Sequence, residues 1–140
     1  MKILICGLPG SGKTWLAERL VQNIGNCAWY NADIVRSASN DWDFTKEGRS
    51  RQAMRMKTFA DFEKNNGRFV ICDFVAPTKA TRESFGADYL IWVDTIKKGR
   101  FEDTNILFEP PENSDFRVTT QDGKYWSEKI AKIILKEKEV

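Results

Sequence analysis

A three-layer α/β domain around a central parallel sheet is the fold that this 140-residue sequence predicts. Three observations carry the expectation. Short apolar runs of strand length alternate with stretches of helical spacing along the whole chain. Two of the runs, at 69–74 and 89–94, are continuously apolar apart from one carboxylate each, as strands buried on both faces of a parallel sheet are. A glycine-rich turn joins the first apolar run directly to the first helical stretch.

The first strand is expected at Lys2-Ile3-Leu4-Ile5-Cys6, and helical spacing begins at Trp15. Between them, Gly7-Leu8-Pro9-Gly10-Ser11-Gly12-Lys13-Thr14 reads G-x-x-x-x-G-K-[ST], the phosphate-binding P-loop. Glycines let the backbone turn tightly, so that successive N–H groups point at phosphate oxygens. The helix N-terminus adds its partial positive charge at the same place. Gly7, Pro9, Gly10, Ser11, Gly12, Lys13 and Thr14 are therefore the expected ATP site, with Lys13 reaching the terminal phosphates and the Thr14 hydroxyl holding Mg2+. The fold class sharpens accordingly to a three-layer P-loop NTPase of the nucleotide-kinase kind, with phosphate at the carboxyl ends of the strands.

Further along, 27–30 is a second short strand, Asn31-Ala32-Asp33 a turn, and Asp33 the opening of a short helix. Residues 37–42 are polar and irregular. A long amphipathic helix is expected from an N-cap at Thr45 to about Asn65, with Met54, Thr58, Phe59, Ala60 and Phe62 giving its helical recurrence. Arg49, Arg51, Arg55 and Lys57 make one face of it unusually basic; most such runs are solvated faces, and the alternative is an anion site. Gly67 ends this helix. The strand at 69–74 is broken by Pro77, a short helix is expected at 78–85, and a further strand at 89–94. A charged, lid-like segment follows at about 97–109. Pro110-Pro111 stiffens the next connection, 117–120 is a last strand, and 127–138 is a C-terminal amphipathic helix. Neither a repeat nor a linker interrupts the pattern, so residues 1–140 are expected to form a single domain.

Composition narrows the function. The net charge of +2 is too small to suggest nucleic acid or membrane as a bulk partner. The absence of histidine removes His-based triads, ligands and general bases. Cys6, Cys27 and Cys72 show no zinc or disulfide spacing, and Cys6 and Cys72 read as buried free thiols. With no signal peptide, long apolar span or lipidation motif in view, a cytoplasmic location is expected. A P-loop without the guanine motif N-K-x-D, in a chain of this size, points to a small kinase. Phosphoryl transfer then needs an acceptor site, charge neutralisation and a group that orients the acceptor hydroxyl. Asp33 follows the second strand and would lie beside the P-loop, where a carboxylate can accept the acceptor's proton; its plainer role is a helix N-cap. Asp73, closing a central strand, is a Walker-B-like carboxylate for the magnesium site, or alternatively a cap for the following turn.

These segments resemble the adenylylsulfate (APS) kinases. Asn31-Ala32-Asp33-Ile34-Val35-Arg36 is similar to that family's D-G-D-N-V-R. Its F-S-x-x-D-R-x-x-N-x-R-R compares with residues 44–55, with Phe44, Thr45, Arg49, Gln52 and Arg55 at matching spacing. Its S-P-Y-R-x-x-R is echoed by residues 76–82. Its K-G-F-T-G-I-D-D-P-Y-E-P-P is echoed by residues 99–111, where Phe101, Phe108 and Glu109-Pro110-Pro111 align. The resemblance runs from the first strand to about Val118. It implies a kinase that phosphorylates the 3′-hydroxyl of adenylylsulfate with ATP. Asp33 would orient that hydroxyl, Arg36, Arg49 and Gln52 would bind the phosphosulfate region, and Phe44 and Phe101 would sandwich the adenine. Arginine forks and aromatic faces suit such an anionic nucleotide. Family members are often dimers, which makes a homodimer an expectation of the same kind. The chain departs from the pattern in four places. Asn31 stands for the first carboxylate of D-G-D, so that one magnesium-water contact is either weakened or supplied by Asp73. Gly48 precedes Arg49 where Asp is usual, and Thr78 follows Pro77 where Tyr is usual. Gly99-Arg100 replaces Lys-Gly, leaving Lys97, Lys98 or Arg100 as the lid cation. Two other readings share the P-loop: a polynucleotide 5′-hydroxyl kinase, which would also use Asp33 and Arg36, or another small nucleotide kinase; and a nucleotide-binding regulatory module with weak or lost catalysis.

Overall fold

A computed structural model describes residues 1–138. Its centre is a five-stranded, all-parallel sheet in the order β2-β3-β1-β4-β5. The strands are β1 (Lys2–Cys6), β2 (Cys27–Asn31), β3 (Phe69–Asp73), β4 (Tyr89–Val93) and β5 (Phe116–Val118). Every residue of β1 and β3 is buried, as central strands covered on both faces require. Alternation along β1 divides the core in two. Ile3 and Ile5 face one layer with Leu16, Leu20, Ile130 and Ile134. Leu4 and Cys6 face the other with Met56, Ala60, Val70 and Phe85. The first layer is built from α1 (Lys13–Ile24) and α6 (Gly123–Lys138), which pack on each other. The second is built from α2 (Ala32–Ser39), α3 (Lys46–Asn65) and α4 (Lys79–Phe85). A last short helix, α5 (Glu102–Leu107), lies within the stretch that reads as a lid in the sequence.

The structure departs from the sequence expectations in two places that matter for the site. No turn separates β2 from the next helix: Asn31 ends the strand and caps α2 at once, its side chain accepting from the Ile34 N–H at 3.1 Å. The helix runs on through 37–39 and closes at Asn40 in the left-handed region, φ 48°. Helix α3 is also rotated from the apolar recurrence. Its buried line is Gly48, Gln52, Met56, Ala60 and Glu63, while Met54 and Phe62 are exposed. Two polar residues displace apolar ones because each is hydrogen-bonded where it is buried. Gln52 Nε2 donates to the Ala32 carbonyl at 3.0 Å, and Glu63 accepts from Tyr30 and Arg68.

Candidate active site

Parallel register sets the carboxyl ends of β1, β2 and β3 side by side: Asp73 is paired with Ile5 on one side and Asn31 on the other. The loop 7–12 leaves β1 directly beside Asp73. Gly7 has φ 152°, and a Cβ there would stand 2.6 Å from the Val93 carbonyl oxygen, so no side chain fits. The Ser11 hydroxyl is fully buried and, among the described residues, is the buried side-chain polar atom left without a hydrogen-bond partner.

Lys13 opens α1 and turns its ammonium back over the loop, donating to the Leu8 carbonyl at 3.0 Å. Burial pulls its pKa down, against the attraction of Asp73, Cys6 and Asp33. Thr14 Oγ1 donates to Asp73 Oδ1 at 3.4 Å and accepts from Asn31 Nδ2 at 3.1 Å. The Asn31 amide also donates to Asp73 Oδ1 at 3.0 Å, and the Trp29 indole donates to Asp73 Oδ2 at 2.6 Å. Burial raises the Asp73 carboxyl pKa, opposed by Trp29, Lys13, Asn31 and Thr14. Thr14 and Asp73 thus present hard oxygen donors beside the loop, the chemistry that magnesium takes.

The expected acceptor residues fall on α2, the loop 40–45, α3 and the lid-like segment. Asp33 lies exposed in the first turn of α2, within electrostatic reach of Lys13; the N-cap itself is Asn31. Arg36 is buried. It donates to the carbonyls of Asp41 (2.9 Å) and Asp43 (3.2 Å), and its guanidinium lies 4.3 Å over the Phe44 ring. The basic face of α3 is largely neutralised, since Asp41 takes both Arg51 and Arg55. Arg49 forms no ion pair among the described residues and stays available to an anion. Gln52 braces α3 against α2 and accepts from Arg55. Phe101 caps α5, half exposed, with Arg100 5.1 Å from its ring. Phe44 and Phe101 each face an arginine and are not stacked on another ring.

The segment carrying Phe101 is tied at both ends. Gly99 exchanges two hydrogen bonds with the Asn105 side chain and sits against Pro9 of the phosphate loop. Glu109 receives Arg82 Nη2 on its carbonyl at 2.6 Å and gives its own N–H to Pro77. Two family departures find a reason here. Thr78 caps α4, accepting from the Thr81 N–H. Gly48 has the Asp43 carbonyl oxygen 2.2 Å from where a Cβ would be, so the loop that Arg36 braces closes directly on the helix.

Sequence reasoning overlooked two tryptophans. Trp29 reads only as a strand residue, and nothing in its spacing announces a bond to Asp73. Trp15 follows Thr14 directly and lines a cavity of about 300 Å³ with Gly12, Gln121 and Gly123. Its position one residue past the P-loop was a usable signal. No described helix is long and apolar enough to cross a membrane.

The sheet order, the glycine loop between β1 and α1, and the lysine–threonine pair at its end define a P-loop kinase-type α/β fold. The adenylylsulphate kinase family model matches residues 1–90, and the chain belongs to that family. It is 35% identical over 89 residues to a probable adenylyl-sulfate kinase of Aeropyrum pernix. That alignment takes in 57% of this chain and 46% of the relative, so the chain spans less than half of that protein's length. The Mycobacterium tuberculosis APS kinase CysC, solved in complex with AMPPNP and APS, superposes with a TM-score of 0.78 at 18% identity, covering 96% of both chains. A shikimate kinase from Acinetobacter baumannii superposes at 0.64 and 18% identity, covering 98% of this chain and 94% of the other. Both structural likenesses speak to the fold.

Proposed function

We propose that this chain transfers the terminal phosphoryl group of ATP to the 3′-hydroxyl of adenylylsulfate, giving ADP and 3′-phosphoadenylylsulfate. The observation that carries the reading is the family match over residues 1–90, which takes in both the phosphate loop and the acceptor segments 31–36 and 44–55. The surroundings of Lys13 support it: the phosphate loop leads into it, and the exposed Asp33 carboxylate lies within its electrostatic reach.

In this reading the loop N–H groups cradle the triphosphate and Lys13 exchanges its Leu8 contact for the β- and γ-phosphates. Thr14 and Asp73 would hold the magnesium ion, directly or through water, which when bound neutralises charge on the phosphates. Asp33 accepts the hydrogen bond of the 3′-hydroxyl and takes its proton as transfer proceeds. Arg49 pairs with the phosphosulfate, and Arg36 holds the loop that presents Phe44. Phe44 and Phe101 take the adenine between their faces, residues 97–109 acting as the lid that brings Phe101 in. Trp15 offers the donor's base an aromatic wall beside Gly12.

The test is ADP release measured with ATP and adenylylsulfate, with a 5′-hydroxyl oligonucleotide, and with neither. Turnover with adenylylsulfate is expected. Turnover with the oligonucleotide alone makes the protein a polynucleotide kinase, and ATP binding without turnover on any acceptor makes it a regulatory module.

A further inference from the structure

We infer that Asn31 and Trp29 are positioning residues that fix the Asp73 carboxylate beside Thr14 in the magnesium–triphosphate site, an amide on β2 facing the carboxylate on β3. The inference rests on the proposed ATP reading and deepens it. Asn31 stands where the family pattern has a carboxylate, and on that count alone it would be a weakened cation contact. The structure gives it a different role. Its Oδ1 accepts the Ile34 N–H at 3.1 Å and so caps α2, which sets the plane of the amide. Nδ2 is then turned inward, 3.0 Å from Asp73 Oδ1 and 3.1 Å from Thr14 Oγ1. An amide N–H is a donor only and cannot ligate a cation. Turning the amide over would cost the cap and both inward bonds.

What this donor does is hold a carboxylate. Asn31 and Asp73 are register partners across β2 and β3. Asp73 Oδ1 is held by Asn31 and Thr14, and Oδ2 by the Trp29 indole at 2.6 Å, so the side chain is fixed at both oxygens. Asp73 is only 2% exposed. A second carboxylate at position 31 would put two like charges within hydrogen-bond distance of each other in a buried site, where both cannot readily ionise. Losing a group that orients a metal-binding carboxylate in this way typically costs about 10- to 100-fold in metal affinity.

A charge-exchange experiment tests the arrangement. Wild type, Asn31→Asp, Asp73→Asn, the double exchange and Trp29→Phe are titrated calorimetrically with AMPPNP, once with magnesium and once with EDTA. The ratio of the two affinities is the magnesium-dependent gain, and thermal unfolding checks the fold of each variant. Either single exchange is expected to lose about tenfold or more of that gain. The double exchange, which keeps one carboxylate and one amide on facing strands, is expected to recover most of it. Trp29→Phe is expected to lose about 10- to 100-fold. The inference is overturned if Asn31→Asp alone increases the gain, or if a folded double exchange binds no better than the singles. It is equally overturned if Trp29→Phe lowers the melting temperature but leaves the gain unchanged, which also decides the matter should Asn31→Asp fail to fold. A wild type with no magnesium-dependent gain overturns both the inference and the ATP reading beneath it.

Discussion

The Arg36 guanidinium lies 4.3 Å over the Phe44 ring while its Nη1 donates to the carbonyls of Asp41 and Asp43. One buried cation therefore shapes the loop 40–45 and backs the ring that the loop presents. Phe44 is 56% exposed, so the ring that Arg36 backs remains open to solvent. Phe44→Ala should leave the ATP KM nearly unchanged and raise the acceptor KM about 5- to 150-fold, from a stacking contribution of about 1–3 kcal/mol per base. Phe101→Ala should act in the same direction. Steady-state kinetics with each substrate varied in turn separates the two sites; an unchanged acceptor KM for Phe44→Ala would reduce the ring to a packing partner of Arg36.

Putting the family's usual residue back at position 48 should do harm. In Gly48→Asp the new Cβ would meet the Asp43 carbonyl oxygen, the atom that also receives Arg36. Something must move, and overpacking of this kind costs about 1–3 kcal/mol. The loop would be pushed from α3, loosening Arg36 and Phe44 together. Urea unfolding should show the lower midpoint, and the acceptor KM should rise as well. A variant as stable as wild type would show that the loop gives way freely.

Much of this was legible in the sequence, and the limits have physical causes. The loop 7–14 announces itself because its glycines and its lysine–threonine pair are demanded by backbone geometry. Strands β1 and β3 were readable because burial on both faces leaves nearly continuous apolar runs, and β4 because all five of its residues are apolar or aromatic. Helix α3 was placed at the right ends, yet its inward face was misread. Gln52 and Glu63 are satisfied by hydrogen bonds with Ala32 of α2, Tyr30 of β2 and Arg68, all outside the helix, which periodicity cannot see. The same limit hid Trp29, whose bond to Asp73 spans 44 residues and exists only once β2 lies against β3. Asn31 looked like the first residue of a turn because a cap and a strand end coincide in it.

In the proposed reaction Lys13 serves the triphosphate and Asp33 the acceptor hydroxyl, so their loss should separate binding from chemistry. Lys13→Ala removes the cation proposed to meet the β- and γ-phosphates, so transfer should fall below detection. Asp33→Asn keeps the size of the side chain but removes its ability to take a proton. Turnover should drop about 10²- to 10⁴-fold, while ATP affinity, set by the loop, changes little. Single-turnover rates and AMPPNP titration measure the two quantities. Normal turnover in Asp33→Asn would strip Asp33 of its assigned role.

Acid stability should depend on Asp41. Hydrogen bonds from Arg51 and Arg55, with the Asp43 N–H, hold its carboxyl well below the usual carboxylate range. A carboxyl depressed on folding binds its proton more readily in the unfolded chain. Its contribution is therefore present above the unfolded pKa of about 3.9 and is lost as pH falls through the folded value. Asp41→Asn removes the anion that joins α3 to the loop 40–45. The variant should be less stable than wild type near neutral pH, and the gap should close as both are taken to strongly acid pH, because wild type then loses the same anion by protonation. Urea midpoints measured at steps from about pH 7 downward follow the gap. A gap that stays constant over the whole range would mean that Asp41 stabilises the protein through packing and not through its charge.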